Sequence, residues 1–175
     1  AHAQATDGIK NAVRAGVDSI EHGVWLDDEA IALMLEQGTY LVPTLTAPAL
    51  IADGGLAAGI PAYAVEKAEQ VRGDHLRSFA AAVTAGVRVA MGTDQGTPLS
   101  RPGDNAQEIL WMAAAGLSKH AAILAAATTK RLRQNTRPDD CGAGSPRPWP
   151  NCGAACARAL PSLRSTENLP GGTCP

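Results

Sequence analysis

The first 129 residues alternate between short apolar runs and longer stretches of helical period, with a glycine at most of the switches. Ile9, Ala12 and Val13 fall on one face of a predicted helix from Asp7 to Ala15, with Thr6 placed to cap it and Gly16 to end it. Val17-Asp18-Ser19-Ile20-Glu21-His22 follows as a strand that stops on a histidine beside Gly23. The next helix is fully punctuated: Asp27 as N-cap, Asp28 and Glu29 in the first turn, Leu26 placed to staple against Ile31, and Gly38 at the end. Tyr40-Leu41-Val42 is the strand after it, closed by Pro43, which cannot donate to a central ladder.

From Thr44 to Ala62 the chain is rich in Ala, Gly and Pro and has no clear period, so it reads as a substrate loop. Ala64 to Ala85 reads as a long helix, with Val65, Ala68, Leu76, Phe79, Ala80 and Val83 as its apolar side. Gly86 ends it before Val87-Arg88-Val89-Ala90-Met91-Gly92-Thr93-Asp94, a run too short for a helix that predicts a strand buried on both faces and halted at a carboxylate. A loop from Thr97 to Gly103, a helix capped by Asp104 with Gln107 three residues on, and another begun by Ser118 complete this region.

The recurring order of helix, glycine and strand predicts an α/β fold with parallel strands. Ala15-Gly16-Val17 and Ala85-Gly86-Val87 are one joint used twice. A TIM-type (β/α)8 barrel repeats that joint around its circumference, and 1–129 holds three full strands plus the stump of a fourth at His2, so the pattern predicts half a barrel. The segment 130–175 is mainly Pro, Arg, Gly, Cys and Ala, and is expected to be a disordered tail because it buries too little apolar area to offset its chain entropy. Such a composition also arises when a GC-rich gene is read out of frame. That hypothesis of a frameshift near Lys130 fails if sequencing the source gene finds one intact frame.

A net charge of −2 over 175 residues gives no reason to expect nucleic acid or an anionic membrane as partner. No apolar run is long enough to span a bilayer, and the opening Ala1-His2-Ala3-Gln4 lacks the basic and apolar regions of a signal peptide. All four cysteines, Cys141, Cys152, Cys156 and Cys174, lie in the tail, so the body is cysteine-free, as suits a cytoplasmic protein. Cys152 and Cys156 overlap zinc-ligand spacing, but no histidine follows and Pro148-Trp149-Pro150 is not a finger scaffold.

Candidate chemistry collects at the strand ends, where parallel α/β folds carry their reactive groups. His2, His22 and Asp94 stand there, and two neutral imidazoles with one carboxylate are the donors a catalytic divalent metal needs. Asp94 is also placed as a general base. Glu21 alternates away from Ile20 and His22 and reads as a structural ion pair or hydrogen bond. His75 and His120 fall within helices and read as surface or packing residues.

Four of these segments, Ala1-His2-Ala3-Gln4, Ala15 to Gly23, Tyr40-Leu41-Val42-Pro43-Thr44 and Met91-Gly92-Thr93-Asp94, together closely resemble the metal-dependent amidohydrolase superfamily. Within it they look most like the branch of imidazolonepropionase-like enzymes and Xaa-Pro dipeptidases. The resemblance covers residues 1 to about 129, and Ser-Ile-Glu-His-Gly followed at a distance by Gly-Thr-Asp is specific as a set. It implies His2 as a metal ligand ending the fifth barrel strand, His22 as one after the sixth, and Asp94 closing the eighth as ligand and proton shuttle. The implied reaction is hydrolysis of an amide or cyclic amide C–N bond by metal-activated water, with one or two divalent ions, often zinc, acting on a small-molecule amide or peptide. Arg101 is a candidate for holding a substrate carboxylate. The superfamily's first-strand His-x-His pair and carboxylated fourth-strand lysine would lie before Ala1, and its flanking β-sandwich is missing. The chain alone is therefore expected to be inactive: a fragment of such an enzyme, a non-catalytic remnant, or a half-barrel module that pairs with another copy or with a separate N-terminal half.

Overall fold

The computed structural model describes residues 1–135, with side chains through Thr129. The expectations for the cysteines and for the rest of the tail lie outside the described residues. The elements run β1 (His2–Ala3), α1 (Thr6–Arg14), β2 (Ser19–His22), α2 (Asp28–Gln37), β3 (Tyr40–Val42), α3 (Thr46–Gly54), α4 (Ala62–Ala85), α5 (Ala106–Ala114) and α6 (Lys119–Asn135). The strands form one parallel sheet in chain order, with Ala3 opposite His22 and Ile20 opposite Leu41. That is the expected helix-linked parallel arrangement. Ile9 and Val13 of α1, Ile20, Met34 of α2, Leu41, Phe79 of α4 and Met112 of α5 are fully buried and form its apolar core.

The local punctuation of α2 works as read. Asp27 accepts from the Ala30 amide at 2.8 Å, and Gly38 closes the helix in the left-handed region at φ 67°. Gly16 and Gly86, the two repeated joints, also take positive φ, so the same turn delivers the chain from helix to sheet at both places. Glu21 accepts from Ser19 Oγ at 2.7 Å, the structural bond expected of it.

Several expectations need correction. Thr6 does not cap α1; Ala5 is the N-cap without a side-chain bond, and the Thr6 hydroxyl donates to the Trp25 carbonyl at 2.7 Å. Asp104 does not cap α5: Asn105 occupies that position, and the Asp104 backbone carbonyl, not its carboxylate, meets the Gln107 amide. Ser118 does cap α6, accepting from the Ala121 amide at 3.1 Å. α6 runs on past Thr129 to Asn135. The supposed substrate loop after Thr44 contains the helix α3, whose small buried residues Ala47 and Ala49 pack without a readable period.

The largest difference concerns Val87–Asp94. It makes a single parallel bridge, Leu41 to Val89, built from Leu41 N to Arg88 O at 2.8 Å and Ala90 N to Leu41 O at 2.9 Å. Its far side is met by α6, where the Met91 amide donates to the Ala125 carbonyl and the Thr129 hydroxyl to the Met91 carbonyl. A ladder needs a strand alongside, and a helix terminates it. Nor is the run buried on both faces: Val87 and Ala90 are buried, while Arg88 is exposed and lies over the Tyr40 ring at 5.2 Å.

Candidate functional site

The parallel register sets the ends of β1 and β2 side by side, and with them two imidazoles. His2 Nδ1 and His22 Nε2 face each other at 2.9 Å, with ring centroids 5.0 Å apart. His22 ends its strand in the left-handed region at φ 77°, a conformation that β-carbons disfavour and that needs support. α4 supplies it. His75 Nε2 donates to the His22 carbonyl at 2.9 Å, Ser78 Oγ bridges the Val24 carbonyl and the Leu26 amide, and Trp25 Nε1 donates to Asp74. A carbonyl only accepts, so His75 carries its proton on Nε2. Among the described residues its buried Nδ1 has no hydrogen-bond partner.

On its other side, His22 Nδ1 meets the Thr44 hydroxyl at 2.8 Å. Thr44 directly follows the Pro43 that closes β3, is buried, and has φ 54°. Burial holds the His22 imidazole below its ordinary pKa, against the raising pull of the Asp94 carboxylate and with a smaller lowering contribution from His2. Burial also lowers His75, opposed by its bond to the His22 carbonyl. Both rings are thus biased to the neutral form.

A cleft of about 290 Å³ opens at these strand ends, lined by His22, Thr44, His75 and Asp94 together with Lys67 and apolar residues such as Val24, Ile51 and Val71. Asp94 is exposed and has φ 52°. The structure therefore brings His2 to His22 and sets Asp94 in the cleft with His22. It does not gather the three as a ligand set: among the described residues, no group of three or more His, Cys, Asp or Glu side chains is disposed to hold a metal ion. The two imidazoles come near to fitting one. A tetrahedral zinc with Zn–N bonds of about 2.0–2.1 Å spaces two nitrogen donors by about 3.3 Å, slightly more than the hydrogen-bonded pair.

Arg101 is exposed and is not among the residues lining the cleft, whereas Lys67 of α4 is. His120 is exposed on α6, as expected. Thr44 and the cleft-lining role of His75 were not legible, because each depends on a partner more than twenty residues away in the chain. A histidine on the apolar side of a helix was the available signal for His75.

Residues 1–143 match the amidohydrolase family. The chain belongs to the amidohydrolase family. This amidohydrolase chain is 40% identical over 127 residues to an uncharacterised protein of Mycobacterium tuberculosis, covering 72% of itself and 34% of that protein. It is 34% identical over 95 residues to an ochratoxinase of Aspergillus niger, covering 54% of itself and 19% of that enzyme. Among solved structures it is similar to a Xaa-Pro dipeptidase with methionine bound in the active site, at TM-score 0.66 and 39% identity, over 75% of this chain and 33% of that one. The neighbours agree with the resemblance to the Xaa-Pro dipeptidase branch. The chain spans about a third of the length of the first relatives it matches. Among the described residues no helix is long and apolar enough to cross a membrane.

Proposed function

We propose that this chain is the C-terminal half of the barrel of a metal-dependent hydrolase acting on amide or peptide C–N bonds, and that alone it is inactive. The observation that carries the reading is the His2–His22 pair at adjacent strand ends, beside a cleft that also holds Asp94. His2 Nδ1 and His22 Nε2 would hold a divalent ion, zinc by the chemistry of the donors, with Asp94 as the remaining ligand once it is drawn in. The chemistry such an ion supplies when bound is Lewis acidity towards a carbonyl and towards water.

The chain's own residues account for the rest. Burial keeps the His22 imidazole neutral near pH 7, the form that offers a lone pair. Asp94 would take a proton from the attacking water on a carboxylate oxygen and return it to the departing nitrogen. The apolar wall of Val24, Ile51 and Val71 receives an uncharged side chain, and the Lys67 ammonium suits a substrate carboxylate. Among the described residues β1 pairs only with β2, so its other edge fits a further strand.

A chimera tests this reading. Residues 1–129 replace the matching third of the Xaa-Pro dipeptidase, and Xaa-Pro dipeptide cleavage is followed. The chimera should turn over substrate, and Asp94→Asn within it should lower kcat by about 10²–10⁴-fold. An Asp94→Asn chimera with undiminished kcat contradicts the role of Asp94, and turnover by the isolated chain contradicts the fragment reading.

A further inference from the structure

Glu108 of α5 is a fully buried carboxylate with no place in the chemistry above. Its Oε1 accepts from the Leu45 amide at 2.8 Å, and its Oε2 accepts from the Thr46 amide at 2.8 Å and the Thr46 hydroxyl at 2.5 Å. Those donors are the two residues immediately after Thr44. They start α3, whose own N-cap Leu45 offers no side-chain acceptor, so Glu108 supplies from another helix the acceptor that this terminus lacks. Burying a carboxylate is unfavourable unless its oxygens are bonded, and here three donors converge on them.

The consequence reaches His22. Thr44 is β-branched yet has φ 54°, where its Cβ crowds the backbone, so it stays there only because its neighbours fix it. Fixing Leu45 and Thr46 aims the Thr44 hydroxyl at His22 Nδ1. From the opposite side His75 fixes the carbonyl of His22, itself at φ 77°. Two strained residues thus face each other across one hydrogen bond, each held from behind by a buried polar side chain of a different helix.

We infer that Glu108 and Thr44 are positioning residues for His22: the Glu108 carboxylate orients Thr44, and the Thr44 hydroxyl accepts the His22 Nδ1 proton, leaving the Nε2 lone pair facing His2 Nδ1. The inference rests on the reading of His22 as a metal ligand, since only the Nδ1-protonated tautomer offers Nε2 to a cation. A ligating imidazole characteristically donates its other nitrogen in this way, and loss of that partner lowers metal affinity about 10–100-fold.

The test uses the full 175-residue chain, selectively labelled with ¹⁵N-histidine, and four forms: wild type, Thr44→Val, Thr44→Ser and Glu108→Gln. Thr44→Val keeps the branched shape without the hydroxyl, whereas Thr44→Ser keeps the hydroxyl. Glu108→Gln keeps the volume but sets an amide N–H₂ against a backbone N–H. In the metal-free chain, wild type and Thr44→Ser should show His22 protonated on Nδ1, and Thr44→Val and Glu108→Gln should show a shifted tautomer population. With Zn²⁺ alone as the probe, Thr44→Val should bind about 10–100-fold more weakly than wild type, with Thr44→Ser restoring most of the loss. A merely structural role for Glu108 would lower the melting temperature of Glu108→Gln while leaving the His22 tautomer of the folded chain unchanged. That outcome overturns the inference, as does a folded Thr44→Val chain with a wild-type tautomer. Should wild type bind no Zn²⁺ while the tautomers shift as stated, the positioning stands and the metal reading fails.

Discussion

The β1–β2–β3 layer and the Val87–Asp94 segment carry the same kind of sequence, and they end differently. β2 has a strand on each side, pairs along Ser19–His22, and delivers His22 to a site where its backbone and ring are both bonded. Among the described residues Val87–Asp94 has a strand on one side only and makes one bridge to it, and it delivers Asp94 exposed with a left-handed backbone. Apolar, β-branched residues make a segment fit to be a strand, but the ladder exists only where a second backbone lies alongside. The same difference divides the candidate site: its imidazoles are fixed, and its carboxylate is not gathered to them.

Substitutions can break this contrast from both sides. Leu41→Ala and Ile20→Ala, in the fully paired layer, should each cost about 2–5 kcal/mol, whereas Val89→Ala, partly buried on the single bridge, should cost about 1 kcal/mol, read from denaturant unfolding. Equal losses at Leu41 and Val89 would mean that the two regions are equally ordered. Gly92→Ala sharpens the point. A β-carbon there would meet Val42 Cγ1 at 2.5 Å, so the substitution should cost about 1–3 kcal/mol if the segment lies this close to β3, and almost nothing if it does not.

The pH dependence of stability probes the held half. His22 and His75 both have folded pKa values below the ordinary value for histidine, so the unfolded chain binds protons more readily. Their contribution is fully present above about pH 6.5 and is lost as pH falls through that value towards the folded pKa values. The thermal midpoint should therefore drop between pH 7 and 5, and drop less steeply in His75→Phe. A midpoint insensitive to that range would contradict the burial of these rings.

The smallest effects separate a cap that works from one that does not. Asp27→Ala should cost about 1 kcal/mol by circular-dichroism melting, and Asp104→Ala should stay within about 0.5 kcal/mol. Arg101→Ala, outside the cleft, should leave the KM of a dipeptidase chimera unchanged.

These contrasts also mark what was legible in the chain. α2 could be read because Asp27, Glu29 and Gly38 act within a few residues of the helix they bound. The His2–His22 pair could be read because a strand end followed by a glycine is a local signal and parallel register makes neighbouring ends adjacent. α3 could not be read, because its N-terminal amides are satisfied by Glu108, 62 residues from Thr46 in the chain. His75 is buried, as a packing residue would be, but nothing near it in sequence reports that its ring reaches the His22 carbonyl. For Asp94, Gly-Thr-Asp is a local signal for a carboxylate at the end of the segment, but its distance from His2 and His22 depends on parts of the chain far from it in sequence.

Zinc stoichiometry of the purified, dialysed chain, measured by elemental analysis beside His22→Ala, bears most directly on the metal site. The paired imidazoles predict close to one equivalent in wild type and almost none in the variant. Equal zinc in both, or none in either, would contradict a site built on His2 and His22.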